Sequence, residues 1–218
     1  MTMSLGGDRS ELLDSAGRAA ARAGYTVVSA AGNDGADACG TSPGADPGVI
    51  GVGAISPDDN LALYSNYGGC TTLFAPGTDI TGAWTSGPTA AAKLSGTSMA
   101  TPHVAGAVAQ LLQLFPQHTA HDVQRSLACM ATENAIIGLD DYSPNRLLHT
   151  GDALLLPQNY ELIRRQSVPG ANSQYSGRPT RPTVTAFECY TGGHGASEGY
   201  SVPKQVQERV NAEDQGTR

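Results

Sequence analysis

Lysine is nearly absent: among 218 residues only Lys93 and Lys204 carry it, and Arg164 with Arg165 is the sole adjacent basic pair. Charged residues make up 15% of the chain, and the formal net charge is −7. Such a surface offers no basic stripe to a phosphate backbone, which excludes nucleic acid as the main partner. No apolar run approaches the roughly 18 residues of a membrane span, so no membrane partner is expected. Residues 1–7, Met-Thr-Met-Ser-Leu-Gly-Gly, lack the basic start and apolar core of a secretory leader and read as the interior of a β-strand. Cysteine is also sparse. Cys39, Cys70, Cys129 and Cys189 are too few for a small disulfide scaffold and lack the C-x-x-C spacing of zinc or redox sites. One pair and two singles is the plain expectation. No internal repeat is visible.

What is present is glycine and small apolar residues: 27 glycines and 39% hydrophobic residues, a balance that suits a compact globule rich in tight turns. Ser10 reads as the N-cap of a helix through Arg22, with Leu12, Leu13, Ala16, Ala19, Ala20 and Ala23 as its apolar stripe and Gly24 as its stop. Residues 25–31 then read as a buried strand that ends at Gly32-Asn33-Asp34-Gly35. A second buried strand covers residues 49–55, and residues 64–76 read as short strands and turns. Strand, helix and strand joined by short connections predict an α/β fold with a parallel central sheet flanked by helices. Residues 97–115 predict an alanine-rich helix, with Pro102 near its start and Pro116 at its end. It is apolar nearly all round, so burial at the centre of the fold is expected. Thr119 caps a further predicted helix to about residue 131. Beyond about residue 150 the texture becomes Gly-, Pro-, Ser- and Gln-rich without periodicity. We therefore divide the chain into a folded portion, 1–150, and a mostly irregular or disordered tail, 151–218.

Three segments carry chemistry. The first is Ser95-Gly-Thr-Ser98-Met-Ala-Thr-Pro-His-Val-Ala-Gly106. It sets Ser98 at the start of the central helix, where free N–H groups and the helix dipole favour a developing negative charge. The string does not fit the Gly-x-Ser-x-Gly elbow, because position 100 is alanine. The second is Ser29-Ala30-Ala31-Gly32-Asn33, where an amide side chain directly after a buried strand can donate to an oxyanion. The third is Ser4-Leu5-Gly6-Gly7, whose glycines permit close approach of another backbone.

Together these segments resemble the subtilisin-like serine proteases, in the branch of proteinase K and aqualysin. Phe74-Ala-Pro-Gly77, Tyr64-Ser-Asn-Tyr-Gly68 and Ser143-Pro-Asn-Arg-Leu147 extend the resemblance over residues 2–150, the C-terminal portion of that catalytic domain. The resemblance implies a serine endopeptidase working through an acyl-enzyme, with Ser98 as nucleophile and Asn33 in the oxyanion hole. It implies that Ser4, Leu5 and Gly6 pair with an extended polypeptide substrate, and that Ala30, Ala31 and Gly32 form one wall of the specificity pocket. It also implies a Cys39–Cys70 disulfide, an oxidising and hence secreted setting, and a monomer. Cys129 is expected unpaired on its helix.

The sequence departs from that family in two ways. The family order is Asp, His, then Ser, but the 32 residues before Asn33 contain no histidine. Asp8 and Asp14 stand outside the family's Asp motif. His103 shares the helix of Ser98 and is not expected to act as base, and His118, His121, His149 and His194 are expected on the surface. The triad His and Asp are therefore expected to lie outside this sequence, as in a truncated reading frame or an internal start, and the chain alone is expected to be nearly inactive. The alternatives are a non-catalytic, peptide-binding pseudoprotease fragment and a split enzyme completed by a second chain. The family's calcium site would use carbonyls near Pro47 and Val49 and an Asp at the position of Thr72. That replacement removes the carboxylate, so no metal or other cofactor is expected.

Overall fold

The computed structural model describes residues 1–150; the tail expectation for 151–218, with Cys189 and His194, lies outside the described residues. In chain order the elements are β1 (Thr2–Met3), β2 (Gly7–Asp8), α1 (Glu11–Arg22), β3 (Val28–Ala30), β4 (Thr41–Ser42), β5 (Ile50–Ile55) and β6 (Leu73–Pro76). They continue with β7 (Ile80–Ala83), β8 (Ala91–Leu94), α2 (Thr97–Leu114), α3 (Ala120–Met130), β9 (Thr132–Glu133) and β10 (Arg146–Leu147). Six strands form one sheet in the order β1-β3-β5-β6-β10-β9. All its pairings are parallel except that of β10 with β9.

The sheet is parallel because helical or long connections separate its strands, and its central strands are apolar on both faces. All six residues of β5 are buried, the pattern of a strand covered from both sides. Helix α2 lies across one face: Ala100, Val104, Ala107 and Leu111 are buried against Val28, Val52 and Leu73, with Val123 and Leu127 of α3 closing the cluster. The helix is nevertheless half bare. Pro102, His103, Gly106, Ala109 and Gln113 are exposed, so the central burial expected from its composition holds for one face only.

Helix α1 also departs from its sequence pattern. Its caps are as expected: Ser10 accepts from the Leu13 N–H at 3.4 Å, and Gly24 adopts φ +90 just past the end. Its apolar stripe is not the buried face, however. Leu12 is 83% exposed, and Ala16, Ala19 and Ala23 are exposed as well. The inward residues are Asp14 and Gly17. A Cβ on Gly17 would stand 2.9 Å from the Val49 side chain, so the helix backbone itself rests on the sheet and leaves no room for leucines beneath it. Asp14 is accommodated by an ion pair with Arg9 at 2.9 Å.

Two further expectations need correction. His118 is buried and its ring stacks on Phe115 at a centroid distance of 4.7 Å, because the turn between α2 and α3 folds back over the end of the core. His149 is partly buried, while His121 and His103 are exposed. Cys129 is disulfide-bonded, not free, and its partner lies outside the described residues. The β7–β8 hairpin, paired Ile80↔Leu94 to Ala83↔Ala91, has too weak an alternation in sequence to be predicted from it.

Candidate active site

Ser98 is the second residue of α2, whose N-cap is Gly96. The turn that delivers it is held from below. The Gly77 carbonyl accepts from the Gly96 N–H at 2.9 Å and from the Tyr64 hydroxyl at 2.8 Å. Burial pushes the Tyr64 phenol up, and its hydrogen bond with Thr78 opposes that shift. The Ser98 N–H lies in the first helical turn, where no intrahelical acceptor exists.

Asn33 approaches from the end of β3. Its Oδ1 accepts from the Thr97 N–H at 2.8 Å and from the Thr97 hydroxyl at 2.9 Å. Two donors on Oδ1 settle the orientation of the amide; its Nδ2 and the Ser98 nitrogen would each stand 3.7 Å from a Cβ placed on Gly96. Thr97 is fully buried, and its own carbonyl accepts from the Thr101 hydroxyl at 2.7 Å. Sequence reading does not single out Thr97, although it stands within the Gly-Thr-Ser string.

Behind Asn33 lies a second amide, Asn66, almost completely buried. Its Oδ1 accepts from the N–H groups of Asp34 and Ala36 at 2.9 and 3.1 Å. Its Nδ2 donates to the Ala31 carbonyl at 3.0 Å and to Thr41 Oγ1 at 3.2 Å, and its own N–H donates to the Gly32 carbonyl at 3.0 Å. One residue therefore grips the loop on both sides of Asn33. Gly32 is obligatory here. It adopts φ +109, and a Cβ would stand 2.2 Å from Asn66 Nδ2. In sequence Asn66 reads only as framework, because an Asn before Tyr-Gly is locally a turn residue.

The other expected site residues converge on the same place. The Ser4 hydroxyl donates to the Ser98 carbonyl at 2.8 Å, and the Ser98 hydroxyl donates to the Ser4 carbonyl at 3.4 Å. The Leu5 carbonyl accepts from the Ser29 hydroxyl at 3.3 Å. Gly6 lies close enough to β3 that a Cβ on it would stand 3.9 Å from the Ala30 carbonyl. Ala30 and Ala31 are buried at the strand end, while Ser4, Leu5, Gly6 and Asn33 are exposed. On the far side of Ser98, an apolar cleft of about 440 Å³ lies between the hairpin and α2, lined by Ile80, Trp84, Leu94, Met99, Pro102 and His103.

Chemically, a hydroxyl stands near an exposed side-chain amide and a helix-terminal N–H, donors of the kind that can hold a tetrahedral oxyanion. Among the described residues, neither a histidine nor a carboxylate hydrogen-bonds the Ser98 hydroxyl. The Ser98 hydroxyl is engaged by Ser4, and His103 Nδ1 is engaged by the Met99 carbonyl at 2.8 Å on its own helix. No group of three or more His, Cys, Asp or Glu able to hold a metal occurs among the described residues.

The subtilase family model matches residues 1–149. The chain belongs to the subtilase family. It is 51% identical over 150 residues to an extracellular serine proteinase of Thermus sp. (strain Rt41A), covering 69% of this chain and 37% of that relative. It is 49% identical over 131 residues to the subtilisin-like proteinase Spm1 of Pyricularia oryzae, covering 60% of this chain and 24% of Spm1. Among solved structures it is similar to a cold adapted subtilisin-like serine proteinase at TM-score 0.65 and 42% identity, over 68% of this chain and 53% of that one. The chain thus spans between a quarter and about half of the subtilases it matches. The Cys39–Cys70 disulfide expected from the resemblance is present. It ties the loop after Asn33 to the approach of β6. No helix among the described residues is long and apolar enough to cross a membrane.

Proposed function

We propose that this subtilase is the nucleophile-bearing portion of a secreted serine endopeptidase. The observation that carries the reading is the fixed orientation of Asn33, whose Oδ1 takes both donors of Thr97 and so presents its NH₂ next to Ser98. A binding surface has no chemical need for such a donor. In the reaction, Ser98 Oγ bonds to the peptide carbonyl carbon while its proton passes to a base. The resulting oxyanion is held by Asn33 Nδ2 and the Ser98 N–H. Collapse breaks the C–N bond, the amine leaves with that proton, and water then hydrolyses the acyl-enzyme. The edge from Ser4 to Gly6 pairs with the substrate backbone as an added strand, and Ala30 to Gly32 line the pocket for the residue before the cleaved bond. The extracellular Thermus relative supports secretion, and the Cys39–Cys70 disulfide suits an oxidising setting.

We take the base and its orienting carboxylate to be supplied from elsewhere, because the Ser98 hydroxyl donates to the Ser4 carbonyl and not to a histidine or carboxylate of the described residues, and the family order sets both partners before Asn33, where this sequence has no histidine. Residues 1–218 alone are therefore expected to be nearly inactive; loss of the triad in a subtilisin lowers turnover about 10⁶-fold, a magnitude taken from that enzyme. Assay of the purified chain on a chromogenic peptide tests this, with Ser98→Ala as reference. Hydrolysis that disappears in Ser98→Ala would show that the chain carries its own base. Retained capture of an extended peptide without turnover favours the second reading, a non-catalytic peptide-binding pseudoprotease fragment, which the baseless Ser98 also fits.

A further inference from the structure

Away from Ser98, a second cleft of about 450 Å³ opens between the loop before β5 and the approach to β6, lined among others by Asp46, Pro47, Val49, Thr71, Thr72 and Arg146. This is the place where the subtilase resemblance puts a calcium ion. The donors do not fit one. Thr72 brings a neutral hydroxyl in place of a carboxylate, and its Oγ1 already accepts from the Gly51 N–H at 3.1 Å. Asp46 is the lone carboxylate in the lining, and it is 1% exposed. Both of its oxygens are taken: Oδ1 accepts from the Gly48 N–H at 2.9 Å, and Oδ2 accepts from Arg18 Nη1 at 2.5 Å. Arg146 adds a further positive charge to the lining. A calcium ion needs about six to eight oxygen ligands, several of them charged, and here it would face the Arg146 guanidinium and one carboxylate already paired with Arg18.

We infer that the Arg18 guanidinium is a built-in cation that replaces the metal at this cleft. It neutralises Asp46 and fastens the loop of residues 43–49 to α1. The geometry explains why the charge arrives from α1. Gly17 lets that helix sit directly on Val49, so the next residue, Arg18, is delivered over the loop. Its other nitrogen, Nη2, pairs with Glu11, but Glu11 is 81% exposed and that outer contact contributes little. The inner pair is different in kind. The Asp46 side chain has no exposed surface while that of Arg18 is 33% exposed, so removing Arg18 leaves the buried carboxylate uncompensated.

Thermal unfolding of the full chain in EGTA and in millimolar calcium, with calorimetric titration of calcium, decides the matter without any activity assay. The wild-type Tm is expected to agree within about 1 °C in the two media, with no binding heat, whereas a site filled to a hundredfold its Kd would raise Tm by about 5–10 °C. Arg18→Met is expected to lower Tm by more than about 5 °C in EGTA, with Arg18→Lys intermediate because it keeps the charge but not the fork geometry. Should Arg18→Met fail to fold, Asp46→Asn read by its urea midpoint serves in its place, with a lowered midpoint expected. Calcium stabilisation of the wild-type chain, or an unchanged Tm in Arg18→Met (an unchanged midpoint in Asp46→Asn), would overturn the inference.

Discussion

The two flanks of Ser98 are built differently. On the Asn33 side, every backbone turn is gripped. Asn66 binds the loop before and after Asn33, Thr97 fixes its amide, and the Cys39–Cys70 disulfide closes the loop behind it. On the hairpin side the same helix shows Pro102 and His103 to the surface, and Trp84 and Leu94 remain 48% and 40% exposed. Half of the site is thus organised in advance of any substrate, and the other half is an open apolar face. Under the proposed function, charge stabilisation, which tolerates little motion, would sit on the gripped flank, and the group that takes the proton would approach from the open one.

The largest expected effect falls on the gripped flank. Replacing Cys39 and Cys70 together with serine frees a loop of separation 31. The loss is about 3–4 kcal/mol in the chain-entropy model, or about 10 °C in Tm. Calorimetry on the double variant, prepared without reductant, checks this. A loss under a third of that size would mean that Asn66 and its partners hold the loop unaided.

Asn66→Ala follows in size and makes the comparison direct. It strands the carbonyl of buried Ala31, while the N–H groups of Asp34 and Ala36 belong to exposed residues and can turn to water; the expected loss is about 1–3 kcal/mol, that of one buried group left unsatisfied. Trp84→Ala on the open flank is expected to change stability by less than about 0.5 kcal/mol, as surface substitutions do. Chemical denaturation of both variants in parallel gives the contrast in one experiment. Equal effects would erase the distinction between the flanks.

A third, smaller effect comes from beyond both flanks, where the turn joining α2 to α3 buries His118. Burial lowers its pKa, and the nearby Asp122 partly opposes that shift. The unfolded chain therefore binds the proton first as pH falls. Stability is fully present above the ordinary histidine value, about 6.5, and declines as pH drops from there toward the lowered folded-state value. Unfolding midpoints at about pH 8 and about pH 5.5 should differ more for wild type than for His118→Gln, which does not titrate. Since α2 carries Ser98 at its other end, the same measurement asks whether acid loosens the helix that presents Ser98.

Most of the gripped flank is legible in the sequence. Ser98, Asn33 and the Ser4-to-Gly6 edge are named by short strings; the first two keep their local structure, but the single strand read through residues 1–7 is broken into β1 and β2, in different sheets, with Ser4 to Gly6 outside either. Asn66 and Thr97 escape notice as partners because their roles are long-range: Asn66 reaches 30 to 35 residues back along the chain, and Thr97 reaches 64. Periodicity cannot show that. The hairpin is hidden for a related reason, since residues such as Gly82, Ala83, Ala91 and Ala92 give an exposed ribbon little hydrophobic alternation to detect. His118 reads as a surface residue on residue type alone, and Cys129 reads as unpaired because no cysteine near it in sequence offers a partner.

Helix α1 offers the smallest expected effect and the most telling one. Its sequence carries a clean amphipathic stripe through Leu12 and Ala16, and by that pattern Leu12 should belong to the core. A buried leucine would lose about 2–5 kcal/mol on truncation. In the fold Leu12 is 83% exposed, because the close seat of Gly17 on Val49 turns the leucine away from the sheet. Leu12→Gln is therefore expected to leave the denaturation midpoint unchanged within about 0.5 kcal/mol. Gly17→Ala, a far smaller chemical change, is expected to destabilise, since its methyl would stand 2.9 Å from Val49 Cγ2. If the order of those two variants were reversed, α1 would be resting on its apolar stripe after all, and the route by which Arg18 reaches Asp46 would have to be redrawn.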